Sequence, residues 1–280
     1  MTPQKQIKIE AKGRLRGSWP SALGVWVVPL VLTALLAYFY DYMLYAAGVA
    51  DGSADLSPGT GEFWITAAAA VVLALTAIFV LRPLMLGVRR WCCAMAFGNN
   101  IGAGAVLYYF RRGRYGRSMR YSGCLLGRIL LRLVPVELLA FGVATLLAAA
   151  FEPAAFSQLF AGVRSTAAQN TLTLWLALVA AMELFGALVT LVLCMRYFLA
   201  DYLYITEDDA DCIAHSVQMM RGWSATALHT LASFFGWALL SVLAFPLLYL
   251  LPYGGVALAV ARKWMVYNAR HPAESAAPQA

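Results

Sequence analysis

Apolar runs with at most one charge each recur along the chain at residues 19–47, 63–81, 133–151, 171–195, 225–245 and 247–261. About twenty apolar residues in a helix, rising 1.5 Å each, cross the roughly 30 Å hydrocarbon core of a bilayer. Each run therefore predicts a spanning helix. The clearest is 63–81, nineteen residues without a charge, while the last is short and interrupted by Pro252. Pro29 predicts a kink in the first run. Trp19 at one end of that run, and Tyr38, Tyr40, Tyr42 and Tyr45 at the other, suit the boundary between lipid and water. The run is also longer than the roughly 7–15-residue core of a secretory signal, so it is expected to stay as an anchor.

Two further segments are amphipathic. Residues 3–18 carry Lys5, Lys8, Lys12, Arg14 and Arg16 against Glu10, with Ile7, Ala11 and Leu15 at four-residue spacing. One apolar stripe on a basic helix fits a helix lying on the inner membrane surface, the alternative being a solvated basic tail. The second predicted helix covers 207–221. Thr206 is its expected cap, Glu207, Asp208 and Asp209 its acidic first turn, and Ile213, Val217 and Met220 its apolar face before Arg221-Gly222. Residues 48–62 hold Asp51, Asp55 and Glu62 without a basic residue and read as an outer loop, as does the short 152–170 stretch.

The expected fold is all-α: a polytopic transmembrane helical bundle with about six spanning helices and two amphipathic helices on the cytoplasmic face. The basic helix occupies 1–18, the membrane domain 19–267, and a flexible tail 268–280.

Composition and charge sharpen this picture. The chain is 62% apolar and 12% charged, whereas soluble domains are about half apolar and a quarter charged. Its net charge of +7 is concentrated: residues 82–132 hold ten arginines, no lysine and no acid. Lys and Arg mark the cytoplasmic side of membrane proteins. The six-span topology puts every Lys and Arg except Arg164 on that side or at its edge, with both termini cytoplasmic. The basic charge thus points to anionic lipid, not nucleic acid. Arg111, Arg112, Arg114, Arg117 and Arg120, interleaved with Tyr108, Tyr109, Phe110 and Tyr115, are the candidate anionic-lipid contacts. FGNNIGAG at 97–104 lacks the Gly-Lys-Ser/Thr ending of a phosphate loop.

Candidate chemistry is sparse. Cys92, Cys93, Cys124, Cys194 and Cys212 have no zinc spacing and none falls in an outer loop, so reduced thiols are expected. No metal, cofactor or catalytic residue is predicted. His215, His229 and Asp201 are available, but no nucleophile–base spacing links them. Glu183 and Glu137 lie inside predicted spans, where an acid must be protonated, paired or facing a wet interior. Arg128 and Arg132 precede the run that holds Glu137 and could reach toward it. For Glu183 one reading pairs it with His229 or an arginine such as Arg132, and the alternative is a protonated carboxyl hydrogen-bonded to a neighbouring helix.

AKGRLRGSW at 11–19, the Phe110 region, Arg196-Tyr197 with Asp201 and Tyr202, Met220-Arg221-Gly222-Trp223, Phe235-Gly236-Trp237 and Pro252-Tyr253 together form a pattern. It resembles the bacterial integral membrane family called domain of unknown function 975. The family's usual Ile-Pro-Gly is absent near 187–193. The resemblance implies a multi-pass protein of the bacterial cytoplasmic (inner) membrane and carries no activity or catalytic residue to transfer. The expected role is a non-enzymatic organiser of lipids or envelope partners, with a membrane protein or a second copy as partner. The alternative is a transporter or channel using Glu183, although no inverted repeat is visible.

Overall fold

The computed structural model describes residues 3–49, 60–151, 153–160, 166–207, 211–236 and 244–271. The described residues are helical, with no strand among them. In chain order the helices are α1 (Pro3–Leu15), α2 (Trp19–Ala46), α3 (Gly61–Thr76) and α4 (Arg82–Ala96), then α5 (Tyr115–Phe151), α6 (Pro153–Phe160) and α7 (Thr166–Cys194). Four more follow: α8 (Ala200–Glu207), α9 (Cys212–Met219), α10 (Ser224–Ala232) and α11 (Ala244–Arg270). The expected tail beyond 271, most of the loop at 48–62 and parts of the 152–170 stretch lie outside the described residues.

Among the described residues, four helical stretches are long and apolar enough to cross a membrane: Trp19–Ala46, Gly61–Ala96, Tyr115–Phe151 and Gln169–Glu207. They match the first four predicted runs and extend most of them. Their apolar side chains face outward: Leu131 is 78% exposed and Leu146 72%. An apolar surface of that extent needs lipid around it. The chain is an all-α, polytopic membrane protein with four candidate spans. The fifth predicted run begins in α10 and continues into residues outside those described. The sixth lies inside α11, which is not among these four stretches.

The chain forms two compact units, Met1–Ser122 with Phe198–Ala280, and Gly123–Tyr197. In the first, α4 is the core helix. Its Leu84, Leu86, Val88, Trp91, Cys92 and Met95 are buried, against α8, α11 and the 3-10 helix Ala103–Phe110. Gly87 makes the last of these contacts feasible, because a Cβ there would fall 2.1 Å from the carbonyl oxygen of Val106. α4 closes at Gly98, whose φ of 83° suits glycine and whose N–H reaches the carbonyl of Met95.

Three sequence expectations change here. The second span does not end at residue 81, where its apolar run stops; the helix passes through a π-helical turn at Ala77–Leu81 and runs on as α4. Pro83 sits near the start of α4, where its missing N–H costs little. Thr206 is not a cap either. It closes α8, with its hydroxyl donating to the carbonyl of Tyr202 at 2.8 Å. The stripe on α1 is real, since Ile7, Ala11 and Leu15 are buried, but it packs on α11 and α4.

In the second unit, α5 presents Ala140, Ala144 and Ala148 at four-residue spacing, all buried. Small side chains let helices approach closely in lipid, where packing replaces the hydrophobic drive. Gly186 of α7 lies against Ala140, and Trp175 donates to the hydroxyl of Thr145 at 3.3 Å.

Candidate functional site

The ten arginines of 82–132 separate into different environments. Arg82 and Arg89 are seven residues apart on α4, about two helical turns, and therefore share a face. That face meets Asp201 of α8, which is 6% exposed. Arg82 donates to Asp201 Oδ1 at 3.1 Å, Arg89 pairs with Oδ2, and the Tyr121 hydroxyl donates to Oδ1 at 2.6 Å. One carboxylate thus holds two guanidinium groups. Arg262 of α11 is close enough for its charge to act on Arg89, and stacks on Phe198 at 4.5 Å. The cluster is cationic in excess.

A ladder of tyrosines leads away from it. Tyr121 stacks on Tyr204 at 4.1 Å, and Tyr204 on Tyr109 at 5.9 Å. Burial, then the neighbouring Tyr204, pushes the Tyr109 phenol above its ordinary range. Tyr109 meets Tyr108 edge-on, and Tyr108 gathers half-buried Arg90 with two exposed arginines. Arg90 lies over its ring at 3.6 Å, Arg114 at 4.0 Å and Arg111 at 5.9 Å. Arg90, Tyr108, Arg114 and Arg117 line a polar recess of about 450 Å³. Guanidinium planes stacked on a ring keep their N–H edges free for an anion. The planar fork fits phosphate or carboxylate through paired hydrogen bonds.

All five predicted lipid-contact arginines, Arg111, Arg112, Arg114, Arg117 and Arg120, are exposed. Arg111, Arg114 and Arg117 gather at Tyr108 or its recess; Arg112 and Arg120 have no such place there. The sequence reading missed Arg90 and the pairing of Asp201. The mixture of tyrosine and arginine at 108–117 was the visible signal for the first. For the second, the spacing of Arg82 and Arg89 showed a shared face but not which acid it meets.

The chain matches along residues 1–261 the family model described as a protein of unknown function, DUF975. The chain belongs to this family. No curated protein and no solved structure matches it. The DUF975 chain has no group of three metal-ligating side chains among its described residues. Its buried Cys92 and Cys93 are free thiols.

The intramembrane candidates fall in both units. Glu137 of α5 and Glu183 of α7 belong to the second, and their carboxyls interact with each other. The Oε2 of Glu137 has no hydrogen-bond partner and rests against Gly186, where a Cβ would come within 2.7 Å. Arg132 pairs with neither acid as expected; it bonds the Tyr197 hydroxyl and lies 4.7 Å from that ring. His229 is exposed on α10 in the first unit.

Proposed function

We propose that this DUF975 protein is a non-enzymatic organiser of anionic lipid on the cytoplasmic face of the bacterial inner membrane. The observation that carries the reading is the recess at Tyr108, where Arg90, Arg114 and Arg117 converge on one polar space. Each basic residue near an anionic leaflet contributes about 1 kcal/mol of attraction. A gathered set also selects a doubly bonded phosphate over a diffuse ion. In this reading the chain crosses the membrane six times with both termini cytoplasmic, α10 and α11 belonging to the last two crossings. The amphipathic α1 and α9 lie at the inner face, and a second copy or another membrane protein docks beside the lipid. Mild-detergent purification from native membranes tests it. Anionic lipid should co-purify with the wild type and be depleted when Arg90, Arg114 and Arg117 become Gln. Equal lipid in both preparations would reject it.

A second reading rests on the facing carboxyls of Glu137 and Glu183. Two acids that interact inside a lipid-facing unit are a means of carrying a proton or cation. Glu183→Gln keeps shape and hydrogen bonding but cannot ionise. In liposomes it should abolish any proton-coupled uptake the wild type shows while leaving the fold intact. Wild-type uptake by Glu183→Gln would end this reading.

A further inference from the structure

A cavity of about 270 Å³ lies between α2, α4, α10 and α11 in the first unit. Trp26, Met85, Leu231, Phe234, Leu251 and Leu258 give it an apolar wall, and Arg89 and Arg262 supply cationic groups to the same space. Two of the lining residues carry a buried donor without a hydrogen-bond partner, Arg262 at Nε and Trp26 at Nε1. An unpartnered buried donor is costly, and natural structures rarely leave one without an acceptor. Arg89 already shares Asp201 with Arg82, so Arg262 adds a cation for which that carboxylate has no remaining role. The volume falls just below the roughly 300–1,000 Å³ of small-molecule sites, which leaves room for one chain and not two.

We infer that this cavity binds a single-chain anionic amphiphile, its carboxylate or phosphate on Arg262 and Arg89 and its alkyl chain along the leucine and phenylalanine wall. These residues are separate from the Tyr108 recess, so the inference stands without the lipid-organising reading. A fatty acid and a lysophospholipid share this chemistry, and competition separates them.

The test uses the full-length protein in a neutral maltoside detergent with radiolabelled hexadecanoate. Binding should saturate at one per chain. Arg262→Gln should weaken it about tenfold, which is about 1.4 kcal/mol. Gly254→Phe offers a second variant, because Gly254 lines the cavity and a Cβ there meets nothing within 4 Å. It should fold, shown by an unchanged melting temperature, and lose binding. Hexadecanol should compete at least about tenfold less well than hexadecanoate, and acetate or inorganic phosphate not at all. Stronger displacement by hexadecanoyl lysophosphatidate assigns the site to a bilayer lipid, and weaker displacement to a free fatty acid. Unchanged binding in a folded Gly254→Phe protein, or equal competition by hexadecanol, overturns the inference. Replacing Arg90, Arg114 and Arg117 with Gln should leave hexadecanoate binding unchanged, so the two proposals fail separately.

Discussion

Asp201 is the residue on which the arginines of α4 depend. It accepts from Arg82, Arg89 and Tyr121, and it is nearly buried while the two arginine side chains are 26% and 32% exposed. Removing one member of a buried ion pair costs about 3–5 kcal/mol, because the remaining charge is left without compensation. Water reaches these arginines in part, so the expected loss for Asp201→Asn is nearer about 2 kcal/mol. The thermal midpoint in detergent should fall clearly; an unchanged midpoint would show that the network adds no stability. This cluster was only half visible in the sequence. The seven-residue spacing of Arg82 and Arg89 places both on one helical face, but their partner is 119 residues from Arg82. No local pattern encodes a pairing at that distance.

At the scale of elements, hydrophobic period was legible and its partner was not. The stripe Ile7, Ala11 and Leu15 defined α1 correctly, yet a stripe looks the same whether it meets lipid or protein. In the structure Leu15 has no exposed surface, and Lys8 donates to the Ser233 carbonyl at 3.1 Å. Leu15→Asp should therefore destabilise the folded protein by about 3 kcal/mol or more, since it removes buried apolar contact and buries a charge. Thermal unfolding in detergent, without any membrane, measures this. A helix that merely lay on the bilayer would leave that midpoint unchanged. The face of α9 was similarly readable, with Ile213 and Met220 buried and Val217 partly so. Its start was not, because Thr206 and Glu207 satisfy capping chemistry on paper but belong to the end of α8. Gly87 was silent in the sequence for the same reason. Only the approach of Val106 gives it a purpose.

At the scale of the molecule, the first four spans were legible because length and hydropathy alone determine whether a helix can cross lipid. The last two were not, since α11 divides its surface between an apolar run and buried contacts in the first unit, including Val256, Ala257 and Met265. Reporter fusions resolve the topology. Fusions after residues 55 and 160 should report the outer side, and fusions after 115, 210 and 275 the cytoplasm. A C-terminus found outside would remove one crossing and reverse the placement of α11.

The most direct test of the lipid-organising role is the preference of the reconstituted protein for anionic over zwitterionic lipid, measured with spin-labelled lipids in liposomes. Wild type should prefer the anionic lipid. The preference should fade at about 1 M salt, where charges are screened beyond roughly 3 Å. Replacing Arg111, Arg112, Arg114, Arg117 and Arg120 with Gln should weaken it, each arginine near the surface accounting for up to about 1 kcal/mol. Equal association of both lipids with the wild type, or a preference untouched by salt and by the five substitutions, would contradict the account.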